Sequence, residues 1–224
     1  MLKLRQISMI FLILSVATFC PAEVIVVDSE ASGWYDQRGY SLGSSGSNAV
    51  GQNDMGTTRY LYNTYFVFSI PELPQEIADI QLVLELTSYF SEDFSEDVRI
   101  SGVSTPADQL TAKHTLPDPS LAPWIYNDLM DGPELGVLTV EKEALEPFFS
   151  CSLNEMGLQM INDAAGGTFA IGLSLMNIDS ADDENIAFNE SLGGFNVLQI
   201  TMIPEPGTIL LLMAGTIFLR RNKK

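Results

Sequence analysis

The sequence predicts a mainly β protein: an antiparallel β-sandwich of jelly-roll type with one short helix, set between an N-terminal signal peptide and a single C-terminal transmembrane helix. Three observations carry this. Between Glu23 and Met202, alternating or unbroken apolar stretches recur between Gly-, Pro-, Ser- and Asp-rich connections, and only one stretch has helical spacing. Both ends of the 224-residue chain are apolar runs beside basic residues. Between them the charge reverses: six of the 11 Lys and Arg lie in the two ends, so five basic residues face 28 acidic ones in the body, a net charge of −23. The division implied is 1–22 for the signal, 23–202 for the sandwich and 203–224 for the tail.

At the N-terminus, Lys3 and Arg5 precede the apolar run Ile7 to Phe19, and Cys20-Pro21-Ala22 puts small residues at −3 and −1 for cleavage between Ala22 and Glu23. A lipid anchor on Cys20 is disfavoured, because Phe19 stands where a small residue is needed. The body opens with a short strand, Glu23 to Val27, and then a Gly- and Ser-rich loop from Ser29 to Gly56. Tyr60 to Ile70 is almost continuously β-branched or aromatic and reads as a strand buried on both faces, with Phe66, Phe68 and Ile70 on one side. In Ile80 to Thr87, Ile80, Leu82, Leu84 and Leu86 alternate with Gln81, Val83, Glu85 and Thr87, the pattern of a half-buried strand. The acidic residues Glu92, Asp93, Glu96 and Asp97, either a second calcium candidate or, as favoured, a repulsive, water-facing turn, lead to a strand at Val98 to Val103.

After a Pro-rich excursion, further strands are predicted at Trp124 to Leu129, Gly136 to Val140 and Phe148 to Leu153. The one helix follows: Leu153, Met156, Met160, Ile161 and Ala164 share a face. It starts either with a Ser152/Glu155 capping box or with Asn154 alone, and Gly166-Gly167 stops it. Thr168 to Leu175 alternates again, with Phe169, Ile171, Leu173 and Leu175 on one face, and Asn196 to Met202 closes the body after a turn at Gly193-Gly194.

The tail has three parts without a gap. Pro204-Glu205-Pro206 cannot be helical, because each proline removes an N–H and extends the residue before it. An uncharged run follows, Thr208, Ile209, Leu210, Leu211, Leu212, Met213, Ala214, Gly215, Thr216, Ile217, Phe218 and Leu219, and then the basic end Arg220, Arg221, Lys223 and Lys224. Twelve helical residues span about 18 Å against a hydrocarbon core of about 30 Å, a deficit that snorkelling arginines reduce. The basic end stays on the cytoplasmic side. This order resembles the PEP-CTERM sorting tail of Gram-negative surface proteins. The resemblance implies an exosortase as partner, a precursor held in the inner membrane, and processing near Pro204-Glu205-Pro206. Asn63 to Ile70 with Ile80 to Leu86, Val103 to Pro106, Asn127-Asp128-Leu129 and Gly166 to Gly172 are similar to a β-sandwich module of such surface proteins. That likeness implies a jelly roll resembling carbohydrate-binding modules, with no catalytic residues.

Chemistry is sparse. The acidic body repels phosphate backbones, which excludes nucleic acid, and favours cations. Once the signal is cut, Cys151 is the only cysteine, so neither an intramolecular disulfide nor a C-x-x-C site can form, and it reads as a free, buried thiol. His114 is the only histidine, too little for a zinc site or a His-based triad, and no phosphate-binding Gly loop is present. Carboxylate pairs at glycosidase spacing would arise by chance among so many acids. The chain therefore reads as non-enzymatic. Two constellations remain. Asp179, Asp182, Asp183 and Glu184 lie in one loop that is either solvated or holds structural calcium, although its spacing is not that of an EF-hand. Trp34, Tyr35, Trp124 and Tyr126, with Tyr40, either stack on sugar rings or cover the edges of the core. The function expected is that of an exported cell-surface or matrix protein associated with biofilm exopolysaccharide, sorted by its tail. The alternative is a carbohydrate-binding module acting on matrix polysaccharide.

Overall fold

A computed structural model describes residues 22–43, 48–54, 58–114, 122–144, 147–178, 183–188 and 195–203. The stretch before Ala22 expected to be a signal peptide, the expected sorting tail from Pro204 onward, the Gly193-Gly194 turn, Asp179 and Asp182 lie outside them. Among the described residues, no helix is long and apolar enough to cross a membrane.

The chain is β-rich and antiparallel, as its alternations require. Its strands are β1 (Val24–Asp36), β2 (Asn48–Asp54), β3 (Arg59–Ser69), β4 (Ile77–Phe90), β5 (Ser95–Gly102), β6 (Glu134–Glu141), β7 (Phe148–Ser152), β8 (Thr168–Leu175), β9 (Glu184–Phe188) and β10 (Val197–Met202). The helices are α1 (Ala107–Leu110), α2 (Ala122–Asp131) and α3 (Glu155–Asp163). One sheet runs β1–β10–β4–β7, and the other runs β1–β3–β8–β5–β6. β2 and β9 link the start of β3 to the end of β4. β1 and β4 serve both sheets, each passing a register irregularity, at Ser29/Ala31 and Leu86/Ser88 respectively. Six strands, β1–β10–β4–β9–β2–β3, thereby close on themselves, and β6 and β7 are left as edges. The two edges meet where the Cys151 thiol donates to the Val137 carbonyl at 3.2 Å, and burial pushes that thiol's pKa up.

The main core lies between the sheets. Phe66 and Phe68 from β3, Ile80, Leu82 and Leu84 from β4, and Ile171 and Leu173 from β8 all face it. The other face of β3 is buried too: Tyr65 and Val67 join Tyr35, Leu110, Ile125, Leu129 and Ala170 in a second core beneath α1 and α2. That is why β3 is apolar almost without a break. α3 starts on Asn154 alone, whose Oδ1 accepts from Gly157 N at 3.1 Å, and Gly166, at φ +74°, ends its last turn.

Four expectations need correction. Trp124 to Leu129 is helical, within α2, so the described residues hold three helices where one was expected in the body. A short apolar run rich in aromatics fits strand and helix equally, and here the i, i+4 pair Ile125 and Leu129 pins a helix to the outside of β3 and β8. The stretch read as one loop, Ser29 to Gly56, holds the second half of β1 and all of β2. Glu96 does not face water: it is 4% exposed in β5 and its Oε1 accepts from the Ser91 hydroxyl at 2.6 Å. Glu184 is not a loop residue but opens β9, opposite Gln52, at 1% exposure.

Three of the sequence stretches likened above to a surface-protein module, Val103 to Pro106, Asn127 to Leu129 and Gly166 to Gly172, meet at α2. Asp128 accepts four hydrogen bonds at 2.6–3.0 Å, from the N–H and hydroxyl of both Ser104 and Thr105. Gly172 lies against the Leu129 backbone, where any Cβ would overlap the carbonyl oxygen.

Candidate functional site

The most organised polar-aromatic surface is built by the five consecutive residues Asp36 to Tyr40 and two strands, β1 and β3. Asp36 ends β1, and Gly39, at φ +80°, lets the chain reverse so that Asp36 N donates to Tyr40 O at 3.0 Å. Asp36 Oδ1 accepts from the backbone N–H groups of Arg38 and Tyr40, both at 2.9 Å, and its Oδ2 accepts from Arg38 Nε at 2.9 Å. The Asp36 side chain is 1% exposed, so its charge is met almost wholly by the turn it organises. Gln37 fastens this turn to β3: Nε2 donates to Arg59 O at 2.9 Å, and Oε1 accepts from Leu61 N at 2.6 Å. The hydrogen bond to Asp36 is the main reason the Arg38 pKa is raised, and the Arg38 guanidinium sits 4.4 Å from the centre of the Tyr60 ring.

Register decides which side chains join it. Trp34 is opposite Thr64 and Asp36 is opposite Tyr62, so Trp34, Tyr62 and Tyr60 share one face of the β1–β3 ladder. Their rings, with Tyr40, form a continuous ridge. Trp34 lies 5.7 Å from Tyr40 and meets Tyr62 edge-on at 5.1 Å, and Tyr62 lies 6.4 Å from Tyr60. All four are partly exposed. Burial, followed by the nearby Asp36 carboxylate, raises the Tyr62 pKa.

The structure thus divides the aromatic set named from the sequence. Trp34 and Tyr40 belong to the ridge. Tyr35 points to the opposite face, is fully buried, and donates its hydroxyl to the carbonyls of Gln109 and Leu110 at 3.0 Å each. Burial pushes its pKa to about 12, and its task is to hold α1. Tyr126 is 9% exposed inside the second core, with its carbonyl accepting from Asn63 Nδ2 at 3.1 Å. Stacking on a ligand is therefore closed to Tyr35 and Tyr126. Trp124 is 50% exposed on α2 and makes no ring contact with another described residue. Tyr60, Tyr62 and Arg38 were not singled out in the sequence; the period-2 spacing of Tyr60, Tyr62 and Phe66 along β3 was the available signal.

The proposed calcium ligands are split. Asp183 is exposed and Glu184 buried, while Asp179 and Asp182 lie outside the described residues. Among the described residues, no group of three or more His, Cys, Asp or Glu is gathered in a way that could hold a metal ion. No family model matches the chain, and no curated protein is similar to it.

Proposed function

We propose that this chain is an exported cell-surface or extracellular-matrix protein of a Gram-negative bacterium, sorted through Pro204-Glu205-Pro206 by an exosortase. In this reading, Thr208 to Leu219 holds the precursor in the inner membrane, with Arg220, Arg221, Lys223 and Lys224 on the cytoplasmic side. The body is a jelly-roll-like, non-enzymatic sandwich exported through the signal ending at Ala22.

One structural observation supports the reading most. β1 begins at Val24, just beyond the proposed signal cleavage, and β10 ends at Met202, just before the tail. The two are neighbours: Val24 is opposite Thr201, and Met202 N donates to Glu23 O at 2.8 Å. A β-fold built from the interval between the two signals can survive removal of both. The test is the intact mass of the protein recovered from the membrane and medium of its native host. A secreted form beginning at Glu23 and lacking everything beyond Pro206 is expected. A mature protein that keeps Thr208 to Lys224 in the inner membrane would refute sorting and leave a plain anchor.

A further inference from the structure

We infer that the ridge of Tyr40, Trp34, Tyr62 and Tyr60 is a binding site for a neutral polysaccharide, a function separate from sorting. Three features of the site carry this. The first is ring geometry. Four linked aromatic side chains, 5.1 to 6.4 Å between neighbours, remain partly exposed, whereas Tyr35 and Tyr65 on the reverse of the same ladder are fully buried. The π-face of an aromatic ring is electron-rich, and the C–H face of a pyranose is its natural partner, with the sugar hydroxyls left at the rim for polar groups.

The second is pre-organisation. Asp36 is almost completely buried, yet both its carboxylate oxygens are committed to the turn carrying Arg38 and Tyr40, and Gln37 locks that turn to β3. A turn that served only to connect strands would not need its one arginine stacked on Tyr60. A rigid platform loses little freedom when a ligand lands on it.

The third is charge, which selects the ligand class. Arg38 is neutralised by Asp36, so the ridge offers no net positive charge, and the surrounding body carries a net charge of −23 by the counts given above. Uronate and sulfated polymers are repelled by such a field, and neutral hexose polymers are not. Position suits the same role. Trp34 lies ten residues along β1 from Val24, up to roughly 33 Å from the end where the tail departs, so a membrane-held precursor presents the ridge outward.

The experiment uses the full-length chain in detergent micelles. The protein has two tryptophans, so Trp124→Phe leaves Trp34 as the sole indole reporter. Neutral hexasaccharides (β-1,4- and β-1,3-glucan, α-1,4-glucan and β-1,4-mannan) and, for comparison, hexagalacturonate are titrated while emission is followed. At least one neutral probe is expected to shift Trp34 emission saturably, hexagalacturonate to bind more weakly, and Tyr60→Ala to weaken binding about tenfold, the loss of one stacking contact. Far-UV circular dichroism checks that Tyr60→Ala is folded, and Tyr62→Phe, which keeps the ring, is expected to bind within about twofold of the parent. Failure of every neutral probe overturns the inference, as does unchanged affinity in Tyr60→Ala or tighter binding of hexagalacturonate.

Discussion

Replacing Asp128 by alanine tests how α2 is attached to the sandwich. The carboxylate accepts four hydrogen bonds: Oδ2 from Ser104 N, Thr105 N and the Thr105 hydroxyl, and Oδ1 from the Ser104 hydroxyl. Alanine leaves two backbone donors without their partner, one of them in Thr105, which is 3% exposed. Charge-assisted hydrogen bonds contribute about 1.5–3 kcal/mol each when shielded and less near solvent, and a stranded buried donor costs about 1–3 kcal/mol. Because Ser104 is exposed, the expected loss is nearer 3 kcal/mol than the sum of four full bonds. For a body of this size that is a fall in Tm of roughly 6–12 °C. Asparagine distinguishes lost bonds from lost charge. Its oxygen can take the Oδ2 position and keep three bonds, while its NH2 can donate to the Ser104 hydroxyl, so a cost of about 1 kcal/mol or less is expected. Urea unfolding followed by fluorescence reads both variants, with Trp124 on α2 itself as reporter. An Asp128→Ala loss below about 0.5 kcal/mol, or equal losses for alanine and asparagine, would show that the four bonds do not hold α2.

Asn154→Ala removes both the cap to Gly157 N and the Nδ2 donation to Glu134 O at 2.7 Å, and should cost about 1–2 kcal/mol in the same assay; Asn154→Ser, which keeps a cap acceptor but not the second bond, should recover about half of that, and equal losses for both would rule out capping. Gly172→Ala puts a Cβ into the Leu129 carbonyl and 2.7 Å from its Cα, so α2 must lift and at least about 2 kcal/mol should be lost; an unchanged Tm would contradict the packing. Burial raises Tyr35 and Tyr126 from 10 to about 12, so the fold keeps protons that the unfolded chain releases. Stability is then complete below pH 10 and falls as pH climbs toward about 12. Absorbance at 295 nm after a pH jump should show these two hydroxyls ionising only with unfolding, and their ionisation near pH 10 in a folded protein would exclude the sealed second core.

Where one face of a strand was wet or one core took its side chains, the sequence was legible. β4 and α3 show this, since a single period governs each and Asn154 stands where a cap is needed. β8 was read for Phe169, Ile171, Leu173 and Leu175 alone; that its other face is buried under α2 was not visible, because Ala170, Gly172 and Ser174 are too small to mark an apolar face. α2 itself was taken for a strand because Trp124, Ile125 and Tyr126 favour strands locally and only tertiary packing separates the alternatives. β2 escaped because Asn48-Ala49-Val50-Gly51-Gln52-Asn53-Asp54 has almost no strand propensity and holds its place through ladders on both sides, with Gly51 at φ +114°. The ridge was half legible. Trp34 and Tyr40 are conspicuous in a Gly- and Ser-rich stretch, but Tyr60 and Tyr62 look like core strand residues until the register places Tyr62 between Asp36 and Gly51 and Tyr60 opposite Asn53.

The central position of β10 also fixes how the domain carries load. β10 is flanked by β1 and β4, antiparallel to both, and its last residue points into the tail. Tension between the tail and a partner at the far end of β1 acts along the strands and across hydrogen bonds that lie perpendicular to them, so both ladders yield together or not at all. Tension between the two chain ends acts differently: Glu23 and Met202 are adjacent, and the β1–β10 ladder opens from that end one pair at a time. Single-molecule pulling with handles at Ile203 and Trp34 should therefore require a higher rupture force than handles at Ile203 and Glu23, and equal forces would contradict this geometry. The domain is then strong along its strand axis and weak between its own two ends.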